Sequence, residues 1–210
     1  MSIAQNPLLG PMKNSMGNFT MYTYNGMNIV RSKAFKVKDA KSEKQLNVRA
    51  RMTALGENYR FFSSVIGLGF PEDSEWKSPQ NMFVKANFPT AFEMMDNKPV
   101  LRYPLMVVAK GSLPEVAVTE SVIDAEGIKI RYDATPLLPD MTAADELIAC
   151  ARLKNHVLLI TRQVLRFKAT GTIHLNYPDL QAGDVECCYL FVLSGDGKKT
   201  SNSVFVDVNS

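Results

Sequence analysis

The sequence has few of the residues on which most catalytic sites and disulfide-stabilised domains depend. Its 210 residues include two histidines, one tryptophan and three cysteines. Cys187 and Cys188 are neighbours, so in a strand their side chains point to opposite faces, and three cysteines form no disulfide framework. We therefore expect Cys150, Cys187 and Cys188 to be reduced, buried thiols.

Long apolar runs are also missing. None approaches the length of a membrane span, and the residues after Met1 lack the charged start and apolar core of a secretory signal. We expect no signal peptide, no membrane insertion, and a location in the cytoplasm or in a virion-like particle. Hydrophobic residues make up 46% of the chain, which is enough for a sizeable core in an ordinary globular protein.

Motifs that would identify an enzyme are absent from the sequence. His156 and His174 have no HExxH or Cys-x-x-Cys companion, and Gly67-Leu68-Gly69 lacks the third glycine of a dinucleotide fingerprint. There is no Gly-x-Ser-x-Gly elbow for a serine nucleophile. We expect no enzymatic activity, no catalytic residue, no metal, no cofactor and no small-molecule substrate.

Positive charge is concentrated near the amino terminus, although the net charge is only +3. Residues 1–60 contain ten Lys and Arg against three Asp and Glu, whereas residues 61–210 contain fourteen against eighteen. Such a basic segment can bind nucleic acid, an acidic partner, or the acidic part of another copy of the chain. The candidate interaction surface consists of Arg31, Lys33, Lys36, Lys38, Lys41, Lys44, Arg49 and Arg51.

The first elements are an arm and a hairpin. Residues 2–18 have no periodicity, and we expect this arm to need a partner surface. The segments Phe19–Tyr24 and Met27–Arg31 predict two antiparallel strands, because Asn25-Gly26 between them favours a type I′ turn.

A long helix is predicted next. Ser42-Glu43-Lys44-Gln45 has the form of a capping box, and a helix of about six turns should follow it. Its apolar stripe, which we interpret as core or as a contact between subunits, has helical spacing: Val48, Met52, Leu55, Tyr59, Phe62 and Ile66.

Shorter elements follow in the middle of the chain. Ser78-Pro79 predicts a helix start, with Met82, Phe83 and Ala86 on its buried side and Pro89 at its end. Thr90 and Glu93 repeat the capping box. The turn at 96–99 should lead into a buried strand over 100–109, and a domain boundary is expected near residue 110, which separates regions 1–109 and 110–210.

Short strands and turn residues dominate the remainder. The predicted strands are 116–123, 128–132, 147–153, 157–161, 170–175, 186–193 and 204–208. Alternating apolar residues from Val185 to Leu193, followed by the turn Gly195-Asp196-Gly197, indicate a closing hairpin. Strands of this number and length are typical of an immunoglobulin-like β-sandwich, so the fold class is α+β with an antiparallel sandwich at the carboxyl end.

Three residues near the penultimate strand sharpen this prediction. Leu180, Gly183 and Tyr189 resemble a signature of fibronectin type III domains, over about residues 110–210. The resemblance implies that the Tyr189 hydroxyl is tied to backbone near Leu180. The usual early-strand tryptophan is missing, because Trp76 lies outside this region, and Tyr132 or Ile130 should fill its place.

A second resemblance covers most of the chain. Gly17, the Asn25-Gly26 turn, Val30-Arg31, and Gln45 with Arg49 and Arg51 resemble an uncharacterised bacterial family, a domain of unknown function. Lys110-Gly111-Ser112-Leu113 resembles the mid-chain motif of that family. The resemblance implies an architecture and supplies no catalytic residues.

The sequence therefore predicts a non-enzymatic structural or interaction protein in a multi-copy or multi-protein assembly. One concrete version is a virion component of a phage or prophage. The first alternative is a nucleic-acid-binding protein that uses segment 31–51, where Tyr22, Tyr24 and Phe35 could stack bases. The second is a glycan-binding or adhesive sandwich with loop aromatics such as Tyr177.

Overall fold

The computed structural model is mixed α and β and describes residues 2–4, 13–24, 26–33, 39, 41–71, 78–134, 144–165 and 170–208. Its helices accompany antiparallel sheets. The chain divides into two compact units, residues 1–42 and 43–210. The expected boundary near residue 110 stays a prediction.

The first unit is a small antiparallel sheet. Its strands are β1 (Ser2–Ala4), β2 (Asn14–Met16), β3 (Phe19–Tyr24) and β4 (Met27–Ser32), in the order β1-β4-β3-β2. The predicted hairpin is β3-β4, in which Tyr24 pairs with Met27. Gly26 has a φ of +73°, as a type I′ turn requires, while Asn25 lies outside the described residues.

The predicted long helix forms as two. Helix α1 spans Glu43–Phe61 and α2 spans Ser63–Gly69, with Phe62 between them at φ −92° and ψ 16°. At this break two adjacent rings pack against different partners. Phe62 contacts the Tyr189 ring edge-on at 6.1 Å between centroids, whereas Phe61 lies against Arg152.

Burial divides the predicted apolar stripe of α1 and α2. Leu55, Phe62 and Ile66 are fully buried, whereas Val48 and Met52 are 49% and 47% exposed. The amino-terminal half of α1 therefore extends beyond the core of the second unit, and there the stripe is not core.

Helix α3 (Pro79–Asn87) begins as predicted. The Ser78 side chain accepts a hydrogen bond from the Asn81 backbone N–H at 3.3 Å, and Pro79 occupies the first helical position. Phe83 is fully buried, and the helix ends before Pro89.

Two predictions for the segment after α3 are wrong. Thr90 does not begin a helix, since its hydroxyl donates to the Ala86 carbonyl at 3.1 Å, and the chain continues as the hairpin β5 (Phe92–Met95) and β6 (Lys98–Leu101). The strand expected over 100–109 ends at Leu101 and is followed by a 3-10 turn, Tyr103–Leu105. Pro104 explains the interruption, because proline has no backbone N–H to donate to a ladder.

All the strands predicted in the carboxy-terminal half are present within a few residues of their expected limits. They are β7 (Ala117–Asp124), β8 (Gly127–Asp133), β9 (Glu146–Leu153), β10 (Leu158–Val164), β11 (Thr170–Asn176), β12 (Val185–Leu193) and β13 (Val204–Phe205). They form an antiparallel sheet β11-β8-β7 and an antiparallel sheet β10-β9-β12-β13.

Strand β12 lies between two hydrophobic clusters. Cys188, Leu190 and Val192 belong to the cluster shared by the two sheets, with Ile130 and Tyr132 of β8. Alternate residues on the other face belong to a second cluster, which the helices cover: Cys187, Tyr189, Phe191 and Leu193. Val185 was expected on this second face but lies in the first cluster, because the register shifts between Val185 and Cys187.

Two glycines allow backbone segments to approach closely, Gly69 of α2 to the connection at Val108 and Gly111 of that connection to the closing segment at Thr200. A Cβ on Gly69 would lie 2.2 Å from the Val108 carbonyl oxygen, and one on Gly111 would lie 2.1 Å from the Thr200 carbonyl oxygen. Leu113 bridges Ser201 in the same place. The Lys110-Gly111-Ser112-Leu113 passage therefore lies where the helices, the connection and the chain end meet.

Candidate interaction surfaces

The predicted basic surface is divided between the two units. Arg31 lies on β4, Lys33 follows it and Lys41 precedes α1, all in the first unit. Lys44, Arg49 and Arg51 lie on α1, in the second unit. Lys36, Lys38 and the aromatic Phe35 lie outside the described residues.

Arg51 is used within its own unit. Its guanidinium lies over the rings of Phe88 and Phe92, at 5.7 and 5.5 Å from their centroids. One nitrogen donates to the Phe88 carbonyl at 3.5 Å and another contacts the Met94 sulfur at 3.6 Å. This side chain fastens α1 to α3 and the β5-β6 hairpin, which reduces its availability to an outside ligand.

The amino-terminal sheet exposes large apolar side chains. Among its described residues, Ile29 is the buried hydrophobic one, whereas Met16, Phe19 and Tyr24 are 69%, 51% and 47% exposed. Arg31 stands over the Tyr22 ring at 5.6 Å. The sheet thus presents apolar and cationic groups together.

A hollow of about 340 Å³ lies along one side of α1. Met52, Thr53, Gly56, Glu57 and Arg60 line it, and no atom lies within 4 Å of the position that a Cβ on Gly56 would occupy. Its lining includes the apolar Met52 and one charge of each sign, at Glu57 and Arg60.

Arg152 joins the helical layer to the outer face of β9 and β12. Its guanidinium lies 4.4 Å from the centroid of the Phe61 ring and its Nε is 2.5 Å from the Glu186 carboxylate. A third contact is a 3.1 Å hydrogen bond to the Asn58 side chain. Sequence analysis missed this cluster. The sequence signal for the cluster was Arg152 itself, a single charged residue in the otherwise apolar segment from Leu147 to Leu153.

Tyr189 corrects the expectation taken from fibronectin domains. Its hydroxyl donates to the Tyr103 carbonyl oxygen at 2.8 Å instead of to backbone near Leu180, because its side of β12 faces the helical layer. Burial raises the pKa of the Tyr189 hydroxyl far above its ordinary value, and burial is also the main cause of a raised pKa at Tyr103. These groups stay protonated and structural.

The three cysteines are free and buried. Burial raises the pKa of Cys187 to about 12 and is also the largest cause of raised pKa values at Cys150 and Cys188. Thiols are poor nucleophiles when protonated, so these side chains act as core hydrophobes.

The outer face of the β11-β8-β7 sheet is polar. Arg131 pairs with Glu120 at 2.5 Å, and Lys129 pairs with Asp124. His174 lies on this exposed face beside Lys129, its partner in the register, and a hollow of about 340 Å³ opens there. Among the residues that the structure describes, no group of three or more His, Cys, Asp or Glu side chains could hold a metal ion.

Three turns meet at one end of the sheets. His156 lies in the turn between β9 and β10, where its φ is +61°. The neighbouring Asn155 donates to the Tyr177 hydroxyl at 3.0 Å, and the Tyr177 backbone N–H donates to the Glu126 carbonyl at 2.9 Å. Tyr177 is half-buried, so its ring is only partly available for stacking on a sugar.

The chain belongs to a family of unknown function (DUF6266), whose model matches residues 11–207. This confirms the resemblance to an uncharacterised family. Comparison with curated proteins and with solved structures gave no match. Within the described part of the chain, no helix is long and apolar enough to cross a membrane.

Proposed function

We propose that this member of the DUF6266 family is a non-enzymatic structural protein that self-associates in a multi-copy assembly. The observation that carries the proposal is the thin amino-terminal sheet, which exposes Met16, Phe19 and Tyr24 and buries Ile29. A small sheet needs an apolar face covered by another layer to be stable in water. In this proposal, a neighbouring copy supplies that cover.

The charge distribution supports a second copy as the partner. Residues 1–42 contain six Lys and Arg against one Asp, while residues 43–210 contain eighteen against twenty Asp and Glu. Contact between unlike patches on two copies is heterologous, and it produces a ring or a filament. A virion component of a phage or prophage is one protein of this type.

The rest of the chain then serves as a rigid body. The strand orders β11-β8-β7 and β10-β9-β12-β13, with a shared hydrophobic cluster, support the finer description as an immunoglobulin- or fibronectin-like sandwich. One of its buried side chains, Tyr189, donates its hydroxyl hydrogen bond to the Tyr103 backbone carbonyl.

Sedimentation velocity of the full chain across a range of protein concentrations tests the proposal. We expect concentration-dependent association that weakens as ionic strength rises, because exposed charges are screened by salt. Replacing both Phe19 and Tyr24 with Ser should reduce it, while replacing Val164, which is 60% exposed on β10, should not. A chain that stays monomeric under all these conditions contradicts the proposal. A salt-sensitive mobility shift of a labelled oligonucleotide would instead favour the alternative, nucleic-acid binding through segment 31–51.

A further inference from the structure

A second hollow, of about 380 Å³, lies among three parts of the second unit and is called the α3 hollow. Phe70 at the end of α2 and Lys110 in the connection before β7 form two of its sides. The third side comes from one face of α3 and the turn after it: Met82, Lys85, Ala86 and Pro89.

Hydrogen bonds fix the sides of the α3 hollow to one another. The Asn87 side chain accepts from the Val107 backbone N–H at 2.8 Å and donates to the Val107 carbonyl at 2.9 Å, which joins α3 to the connection. The Lys110 backbone N–H donates to the Gly69 carbonyl at 3.0 Å, which joins the same connection to α2. A hollow held in this way is formed before a ligand arrives, as is usual for small-molecule sites.

The uncharged part of the lining is mostly apolar. The Phe70 ring is 1% exposed and meets the Phe83 ring edge-on at 6.3 Å between centroids. Met82 and Ala86 are partly buried against the same hydrophobic cluster. Thr90, the remaining lining residue, donates its hydroxyl to the Ala86 carbonyl at 3.1 Å. A short aliphatic chain placed here would therefore exchange water for apolar contacts.

Both charges in the lining are positive. Lys85 and Lys110 are exposed, and neither forms an ion pair within the part of the chain that the structure describes. Packing explains two neighbours of Lys110, because Gly111 approaches the closing segment and Leu113 is buried, but it gives no role to the Lys110 side chain. Two cations beside an apolar surface attract an anion and repel another cation.

We propose that the α3 hollow binds a small carboxylate with an aliphatic body. Lys85 and Lys110 contact the carboxylate, and the chain lies against Phe70 and Met82. The volume lies near the lower end of the range for small-molecule sites, about 300–1,000 Å³, which favours a short ligand. This site adds ligand binding to the proposed structural role and does not depend on self-association.

Methyl NMR of the full chain, labelled with ¹³C at the methionine methyl groups, tests the site with sodium octanoate as the probe. The Met82 signal, identified by Met82→Leu, should shift to saturation. Met52 and Met95 are 47% and 53% exposed and do not line the α3 hollow, so their signals should stay in place. Octylammonium has the same chain with the opposite charge and should bind at least about tenfold more weakly.

Substitutions test the two parts of the site separately. Replacing both Lys85 and Lys110 with Gln should weaken octanoate binding by about threefold to tenfold, as expected for two exposed charge contacts. Lys154→Gln is the matched control, since Lys154 is exposed in the turn between β9 and β10. Ala86→Phe fills the hollow and should abolish the shift of Met82. Circular dichroism and thermal melting establish that each variant is folded.

Four outcomes would overturn the proposal. The first is no shift of Met82 with octanoate, and the second is equal binding of octylammonium. The third is a shift of Met52 and Met95 together with Met82, which indicates adsorption of the aliphatic chain over the whole surface. The fourth is a Met82 signal that moves with protein concentration alone, which would mean that a second copy occupies the hollow.

Discussion

The hydroxyl of Tyr189 donates a 2.8 Å hydrogen bond to the backbone carbonyl of Tyr103, and this bond connects the outer face of β12 to the turn beneath the helical layer. The Tyr189 ring meets Phe62 and Phe205 edge-on at the same place. One side chain thereby joins three parts of the second unit.

Replacing Tyr189 with Phe should destabilise the second unit by about 0.5–1.5 kcal/mol, because the change removes a hydrogen bond to the Tyr103 carbonyl in a partly buried site. Urea denaturation followed by circular dichroism measures the loss. Tyr177→Phe is the control, since its hydroxyl bonds to Asn155 in an exposed position. Equal effects of the two substitutions would contradict a structural role for the bond between Tyr189 and Tyr103.

Arg152→Met should destabilise the chain by about 2–4 kcal/mol, since it leaves the Glu186 carboxylate unpaired in a mostly buried site. The side chains of Arg152 and Glu186 are only 14% and 26% exposed. Arg162, 51% exposed and 4.0 Å from Glu146, provides the control on the neighbouring strand. Arg162→Met should change the free energy of unfolding by less than about 1 kcal/mol.

A double-mutant cycle separates the pair from its surroundings. Adding Glu186→Gln to Arg152→Met should recover part of the lost stability, because the unpaired charge is then removed. If no recovery follows, stacking of the guanidinium on Phe61 and Tyr103 is the main contribution.

Strand positions could be predicted from the sequence because their signals are local. The alternation in β12 and the Asn25-Gly26 turn each depend on residues within a few positions. The strand expected over 100–109 was wrong for an equally local reason, since Pro104 removes a donor.

The clusters could not be predicted in the same way. The Arg152 cluster brings together Asn58, Phe61 and Glu186, which lie far apart in sequence and meet only after the layers pack. The exposure of Val48 and Met52 likewise depends on where the core ends, which helical periodicity does not specify.

Stability should fall as pH rises above about 9. Burial raises the pKa of the Cys187 thiol from 9.0 to about 12, so between these values the unfolded chain releases a proton that the native chain keeps. The loss approaches about 1.4 kcal/mol for each pH unit and each such thiol. Urea midpoints between pH 8 and pH 11, roughly the window set by these pKa values, should fall more steeply for the wild type than for Cys187→Ala. If the urea midpoints of the wild type and of Cys187→Ala fall equally with pH, the Cys187 thiol is not shielded from solvent in the native chain.

Gly111→Ala should destabilise the second unit, whereas Gly56→Ala should stabilise it. The added methyl at Gly111 would lie 2.1 Å from the Thr200 carbonyl oxygen, so backbone must move, at a cost of about 1–3 kcal/mol. At Gly56 no atom lies within 4 Å of the new methyl, and the higher helix propensity of alanine should add about 0.5–1 kcal/mol. Thermal melting and urea denaturation of the two variants provide the comparison. If the two variants are equally stable, the chain end is not packed on the Lys110-Gly111-Ser112-Leu113 passage. If Gly111→Ala lowers the free energy of unfolding and Gly56→Ala raises it, this passage contributes to packing the chain end.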